Sequence, residues 1–132
     1  MRRTYTPPTV PLEDAEQRVI FQWAAMETAA CPELGLLYAI PNGGKRAIKT
    51  AIALKAQGVK SGVPDMCLPV SRGGYHGLYI ELKRQKGGVV SETQKSWITA
   101  LAEQGYKAVV CRGADEAIEQ IRGYLCHTST KT

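Results

Sequence analysis

The sequence predicts an α/β sandwich with a mixed central sheet of about four strands flanked by helices. Helical and strand-like segments alternate in the order α-β-α-β-β-α-β-α. The two middle strands, 66–70 and 77–83, are joined by the glycine-rich turn SRGGYH, which predicts an antiparallel hairpin and argues against an all-parallel sheet. The 132 residues are enough for one core, so we expect a single domain over 1–132, with flexible ends at 1–11 and 126–132.

The first predicted helix covers 12–30, because apolar residues recur there at helical spacing. The inward stripe consists of Leu12, Val19, Ile20 and Trp23. Pro32 and Gly35 are expected to end the helix. Trp23 and Trp97, the two tryptophans of the chain, are both expected in the core.

A short buried strand is predicted next, over 36–40, and the turn Pro-Asn-Gly-Gly at 41–44 ends it. Helical periodicity returns over 45–58, with Ile52 on or beside the inner face. In the first strand of the hairpin, Pro69 has no N–H to donate, which favours an edge position or a bulge for that strand.

The last third of the chain reads as helix, strand and helix. Ser91 and Gln94 have the spacing of a capping box, which opens a helix over 91–105. The apolar run KAVVC at 107–111 predicts a buried strand, and 114–125 has the periodicity of an amphipathic helix.

Composition and charge narrow the function classes. No run of eighteen apolar residues is present, so no membrane span is expected, and the start lacks the apolar region of a signal peptide, so we expect a cytoplasmic protein. The segment 43–86 holds nine basic and two acidic residues, a balance of +7, whereas the rest of the chain has a balance of −2. Such a basic middle indicates either a polyanion partner or only a solvated basic face.

The four cysteines form no C-x-x-C pair, and neither histidine has the spacing of a zinc site with them. Cys67 and Cys111 lie in apolar runs and are expected to be buried free thiols. The Walker A spacing is absent, so we expect no nucleotide cofactor.

The predicted hairpin brings two carboxylates together. Asp65 opens one strand and Glu81 closes the next, so antiparallel pairing places them side by side. Two carboxylates about 4 Å apart repel by about 4 kcal/mol at an effective dielectric constant of about 20, so the pair needs a shared proton or a cation. Oxygen ligands without a nearby His or Cys suit Mg²⁺ or Mn²⁺. The Leu82 carbonyl could add a ligand, and Lys83, with the same parity as Glu81, could orient a water or stabilise charge on a phosphoryl group.

The arrangement P-D-(x15)-E-x-K resembles the PD-(D/E)XK nuclease superfamily, and the chain is most similar to its VRR-NUC family. The matching residues are Pro64-Asp65, Glu81-Leu82-Lys83, Gln94 on the following helix and Glu16 on the first helix. The segments PNGGKR (41–46) and GVPD (62–65) also resemble the family signature. The resemblance extends from Glu13 to about Cys111.

This resemblance implies a restriction-endonuclease-like sandwich and a metal-dependent endonuclease acting on DNA, with Asp65 and Glu81 as metal ligands. Compact, stand-alone members of the family, often phage-encoded, resemble Holliday junction resolvases and act as homodimers. A branched DNA substrate, a homodimer and the cytoplasm of a host cell are therefore expected.

Further site candidates surround this centre. Glu16 falls in the apolar stripe of the first helix, where an acid without a partner is costly to bury, so we expect it in the site; Glu13 is the competing match if the helix is rotated. Gln94 can serve as a cap, as a site residue or as both. The glycine-rich turn before the second helix can hold phosphate, which predicts DNA backbone contacts there. The residues expected to make them are Asn42, Lys45, Arg46 and Lys49.

A nuclease is the preferred hypothesis, because the acids and the lysine of the centre are all intact. The alternatives are a flap- or nick-type or non-specific DNase, a DNA-binding module without catalysis, and an unrelated α/β protein with a basic face.

Overall fold

The structure, a computed structural model, describes residues 10–41 and 48–126. The helices are α1 (Glu13–Glu27), α2 (Ile48–Ala56), α3 (Glu92–Glu103) and α4 (Ala114–Leu125), with a 3₁₀ helix at Pro32–Leu36. The strands are β1 (Tyr38–Ala39), β2 (Met66–Leu68), β3 (Leu78–Lys83) and β4 (Lys107–Arg112). Asn42, Lys45 and Arg46, three of the predicted DNA contacts, lie outside the described residues.

The strands form one mixed sheet in the order β1-β2-β3-β4. β2 pairs antiparallel with β1 and with β3, and β4 pairs parallel with β3. The predicted α/β sandwich with a mixed sheet of about four strands is confirmed. The predicted edge position of β2 is wrong: β2 lies inside the sheet and ends at Leu68, so Pro69 is never required to donate to the ladder.

The core lies on one face of the sheet. Successive side chains of a strand point to opposite faces, and Leu78, Ile80 and Leu82 of β3 point into the core. Helices α1 and α4 cover this face with buried side chains such as Ile20 and Ile121. Glu81 and Lys83 therefore project from the opposite face.

Helix α1 is rotated relative to the predicted stripe. Leu12 and Val19 are 65% and 46% exposed, whereas Glu16, Ile20 and Ala24 are the buried residues of the helix. These three residues are spaced four apart and so share one face. The prediction for Glu16 and Ile20 is therefore right in direction, and the prediction for Leu12 and Val19 is wrong.

The predicted strand 36–40 is largely wrong. A 3₁₀ helix begins at Pro32 and extends to Leu36, and Leu34 is its buried residue. Only Tyr38 and Ala39 remain as a strand, and both are exposed because β1 is the edge of the sheet.

The other edge strand and the second helix are also less buried than expected. Strand β4 was predicted to be buried, but Cys111 is its one buried residue. Cys111 and Cys67 are both buried and both carry free thiols, which confirms the prediction for these two cysteines. On α2, Ile52 is 64% exposed, contrary to its predicted inward position. Trp23 is half-buried and packs against the core, in part as predicted, whereas half-buried Trp97 is not among the described residues that pack there.

The termini of α3 and α4 are capped differently. At α3 the predicted capping box is present: the Ser91 hydroxyl accepts from the Gln94 N–H at 3.2 Å, and the Gln94 amide oxygen accepts from the Ser91 N–H at 2.9 Å. At α4 the N-cap is Gly113, with no side chain to accept a bond, so the acceptor must come from elsewhere in the fold.

Within 10–41 and 48–126, no helix has the length and hydropathy to cross a membrane.

Candidate active site

The site begins where the β2–β3 ladder ends. The last antiparallel pair toward the site is Met66 opposite Ile80, and the same register continued by one residue places Asp65 opposite Glu81. Directly opposite residues have Cβ atoms about 5 Å apart and point to the same face. The two carboxylates predicted to meet are therefore neighbours on the face opposite the core.

Asp65 is held in place by the backbone. Its carbonyl accepts from the Ile40 N–H at 2.8 Å, which ties it to the edge strand. Its side-chain Oδ2 accepts from the Leu82 N–H at 2.6 Å, so the carboxylate takes the place of the next ladder partner of β3. The Asp65 side chain is thereby fixed beside Glu81 without a charged partner.

Glu81 is almost completely buried, with 1% exposure, and its Oε1 receives no hydrogen bond from the described residues. Burial, together with the hydrogen bond and the charge of the adjacent Asp65, raises the pKa of Glu81 to about 9. Lys83 lowers that pKa and Glu13 raises it. The pair thus carries more negative charge than its surroundings compensate, and either a proton or a cation is required there.

Lys83 is also buried, at 7% exposure, and none of the ion pairs found among the described residues includes it. A Cβ added to Gly88 would lie 3.8 Å from Lys83 Cδ, so the loop after β3 packs along the lysine stem. The Lys83 ammonium lowers the pKa of Glu81. Because alternate residues of a strand share a face, both side chains project from the same side of the sheet.

Arg112 fastens the loop that follows Lys83. Its guanidinium donates to the carbonyls of Gly87 at 2.6 Å, Arg84 at 3.2 Å and Gly88 at 3.2 Å. Arg112 is the register partner of Lys83 in the parallel β3–β4 pair. The sequence did not predict this role, because hydrogen bonds from a strand to the backbone carbonyls of a distant loop leave no local pattern in the sequence.

Glu16 supplies the missing cap of α4. Its Oε2 accepts from the Ala114 N–H at 2.6 Å, and its Oε1 accepts from Gln85 Nε2 at 3.3 Å. A Cβ at Gly113 would come within 2.6 Å of Glu16 Oε2, so this close approach requires glycine. These bonds explain the burial of the Glu16 carboxylate without a catalytic role, which stays a prediction. Glu13, one turn earlier, is the acid of α1 whose charge acts on Glu81.

The remaining predicted residues lie at the margin. Gln94 is half-buried and its amide oxygen is used by the capping box, so its role in the site stays a prediction. Lys49 is exposed on α2 and takes part in none of the ion pairs of the described residues, which leaves its charge available to a phosphate.

The chemistry of the pair fits a divalent metal, although no three His, Cys, Asp or Glu side chains cluster as ligands among residues 10–41 and 48–126. Asp65 and Glu81 supply hard oxygen ligands. The buried Oε1 of Glu81 accepts no hydrogen bond from the described residues, and a bound cation would satisfy it instead. The N–H of Leu82 points at Asp65, and the carbonyl of the same strand residue points to the same side. Two carboxylates and one backbone carbonyl therefore supply oxygen donors of the kind that a divalent ion prefers.

The profile of the VRR-NUC domain matches residues 10–115, a range that includes Asp65, Glu81 and Lys83. This chain belongs to the VRR-NUC family. A solved structure titled "VRR_NUC domain protein" is similar over 92% of this chain and 94% of its own, with 32% sequence identity and a TM-score of 0.80. None of the curated proteins matches the chain.

Membership makes this chain a nuclease-like DNA-processing domain, and DNA its partner. VRR-NUC nucleases generally depend on divalent metals, in agreement with the uncompensated carboxylates of the site. The residues Pro64-Asp65 and Glu81-Leu82-Lys83 are consistent with the PD-(D/E)XK superfamily.

Proposed function

We propose that this VRR-NUC protein is a Mg²⁺- or Mn²⁺-dependent DNA endonuclease that selects branched DNA such as Holliday junctions. The observation that supports the proposal most directly is the pairing of half-buried Asp65 with buried Glu81, whose Oε1 receives no hydrogen bond from the described part of the chain, on the sheet face that also carries Lys83. It acts as a single domain over 1–132 and as a homodimer, in the cytoplasm of a host cell.

In the proposed mechanism, Asp65, Glu81 and the Leu82 carbonyl would hold the ion at the sheet face that also carries Lys83. The metal, when bound, would polarise a phosphoryl oxygen and lower the pKa of a water. Lys83 orients the attacking water and stabilises the negative charge that develops on the phosphoryl group. The water oxygen forms the new bond to phosphorus and gives its proton to solvent, and the bond to the leaving oxygen breaks as that oxygen takes a proton from solvent.

The surrounding residues have supporting roles in this proposal. Glu13 or Glu16 on α1, together with Gln94, would hydrogen-bond to water in the centre. The DNA backbone would lie along the start of the second helix. The residues proposed to contact it are Asn42, Lys45, Arg46 and Lys49.

Cleavage of a DNA panel tests the activity. The panel contains a four-way junction, a flap, a nicked duplex and a plain duplex, each with Mg²⁺ or Mn²⁺. We expect wild type to cut the junction best, and Lys83→Ala to keep DNA affinity while its cleavage rate falls about 100-fold or more. Lys95→Ala, an exposed lysine on α3, is the matched control. Near-normal turnover by Lys83→Ala would refute its role, and a preference for the flap would favour the flap-type nuclease.

Metal binding is tested without DNA. Calorimetric titration of Mn²⁺ should show binding to wild type that is lost in Asp65→Ala and kept in Asp14→Ala, whose side chain is 78% exposed. Equal affinity in all three proteins would contradict the proposed ligands. It would then favour a DNA-binding module in which the acids are only structural.

The dimer is proposed because a junction is resolved by two symmetric cuts, whereas one chain carries one Asp65–Glu81–Lys83 centre. Two-fold dimers are the commonest oligomers and meet this need with one self-complementary surface. Light scattering should report about twice the chain mass of 14.4 kDa. A monomer that cuts one strand at a time would exclude the resolvase and leave the nick-type nuclease.

A further inference from the structure

A cavity of about 510 Å³ lies between α2 and α3, on the segment that leads to Asp65. This volume is within the usual range for sites of small organic ligands. Its lining includes Leu54, Lys55, Val59, Lys60, Ser61 and Trp97. The cavity therefore combines an apolar wall with an aromatic ring and two cationic side chains.

Trp97 is available to a ligand in this cavity. Helix α3 has no buried residue, and Trp97 on it is only half-buried. The same indole also borders a second cavity, of about 440 Å³, which shares Val59 and Lys60 with the first. The ring thus lies between two open volumes instead of packing into the core.

The charges of the cavity select an anion. Lys55 and Lys60 are exposed, and the ion pairs found in the described part of the chain include neither of them. No acid is among the described residues that line the cavity. A ligand with a flat apolar body and a negative group matches this lining, and DNA is the partner of the domain.

We propose that the cavity binds one unpaired nucleotide of a DNA strand, with its base on the Trp97 ring and its phosphate near Lys55 and Lys60. The inference rests on the proposed function and adds to it a site for a nucleotide displaced from the duplex. Stacking on an aromatic ring tolerates any base, so the site would recognise strand separation and not sequence.

The cavity is close enough to the catalytic centre to act on the same strand. Ser61 in its lining is four residues from Asp65, a span of at most about 14 Å of extended chain. The connecting loop is seated on the start of α3, since a Cβ at Gly62 would lie 3.0 Å from the backbone carbonyl carbon of Thr93. A base that leaves the duplex beside the cut can therefore reach Trp97, which would give selectivity for branched DNA.

Tryptophan fluorescence tests this site directly. In the Trp23→Phe variant Trp97 is the only tryptophan, and titration with an eight-nucleotide poly-dT strand in EDTA should quench it. A blunt hairpin duplex should quench it far less. Trp97→Leu should bind the poly-dT strand about tenfold or more weakly, whereas Trp97→Tyr should retain most of the affinity, because tyrosine still stacks.

The lysines give a second, independent test on exposed positions that do not threaten folding. The pair Lys55→Gln and Lys60→Gln should weaken binding of the poly-dT strand and flatten its salt dependence, by about 0.7 in slope for each phosphate of the single strand that the variant no longer neutralises. The matched control replaces Lys95 and Arg18, exposed cations already paired with acids, and should leave both the affinity and the slope unchanged.

Unchanged Trp97 fluorescence on adding the poly-dT strand, or equal quenching by the blunt hairpin, would overturn the nucleotide site. Its failure differs from failure of the proposed function. If only the nucleotide site is wrong, Trp97→Leu and wild type should cut junction and plain duplex in the same ratio. If no DNA of the panel is cut by wild type, the endonuclease is wrong, and the fluorescence result still decides the nucleotide site.

Discussion

Replacing Glu81 with glutamine should stabilise the metal-free protein at alkaline pH, although it removes a proposed metal ligand. The carboxyl group is 1% exposed, receives no hydrogen bond at Oε1, and faces the Asp65 carboxylate. An amide of nearly the same shape carries no charge and can donate to Asp65. The substitution thus removes the repulsion and the cost of burying an uncompensated charge.

The size of the effect follows from the pKa of Glu81. In the unfolded chain this pKa has its ordinary value of 4.5, and in the folded protein burial and Asp65 raise it to about 9. Between these values the folded state keeps a proton that the unfolded state has released, so the free energy of unfolding falls as pH rises, by about 1.4 kcal/mol per pH unit. From about pH 5 to about pH 8 the Glu81 contribution falls by at most about 4 kcal/mol. The Glu81→Gln protein lacks this loss.

Urea denaturation in EDTA at several pH values measures the effect. Near pH 5, where Glu81 is protonated in the folded protein, the variant and wild type should have similar free energies of unfolding. Near pH 8 the variant should be the more stable of the two. Glu119→Gln, an exposed acid on α4, is the matched control and should follow wild type at every pH. Parallel curves for wild type and Glu81→Gln across this range would refute the account of a buried, uncompensated carboxylate.

Three further substitutions probe contacts that position the site. Glu16→Ala should lower the free energy of unfolding by about 1–3 kcal/mol in urea, because the first N–H of α4 loses its acceptor; the exposed Asp14→Ala should change it by at most about 0.5 kcal/mol. Tyr124→Phe should lower the free energy of unfolding by about 1–3 kcal/mol, because the buried Val70 carbonyl loses the Tyr124 hydroxyl that donates to it. Tyr75→Phe is the control, since the Tyr75 hydroxyl makes no such bond in the described residues. Arg112→Gln should retain DNA affinity but lose up to about 100-fold in cleavage rate, because the loop beside Lys83, the proposed catalytic lysine, is released.

Each of these expectations can fail clearly. Equal stability of the Glu16→Ala and Asp14→Ala proteins would show that α4 needs no cap from α1. A Tyr124→Phe protein as stable as wild type would mean that water satisfies the carbonyl. An Arg112→Gln enzyme that loses DNA affinity instead of turnover would place the arginine in substrate binding.

Local signals in the sequence predicted that Asp65, Glu81 and Lys83 lie close together, and the register of the strands agrees. The turn SRGGYH forces a hairpin, and a hairpin with strands of known length brings Asp65 beside Glu81. Side-chain parity then puts Lys83 on the same face. Each step needs only neighbouring residues, so the sequence alone was sufficient.

The parts that sequence reasoning missed depend on partners distant along the chain. The inward position of Glu16 was predicted, but its role as the cap of a helix that begins 98 residues later cannot be read from the spacing of residues within α1. Arg112 acts on carbonyls 24 to 28 residues earlier, through a parallel pairing that the hydrophobic pattern does not fix. Both contacts join elements that are far apart in the sequence.

Pro64 explains why the ladder stops where the chemistry begins. Continued by two residues beyond Met66 and Ile80, the β2–β3 register places Pro64 opposite Leu82. Since proline has no N–H, the Leu82 carbonyl cannot receive the ladder hydrogen bond that any other residue there would donate. The Leu82 N–H turns instead to the Asp65 side chain at 2.6 Å. A buried proline thus frees one carbonyl and fixes one carboxylate at the same point, which gives the adjacent pair Pro64-Asp65 a physical reason in the proposed metal site.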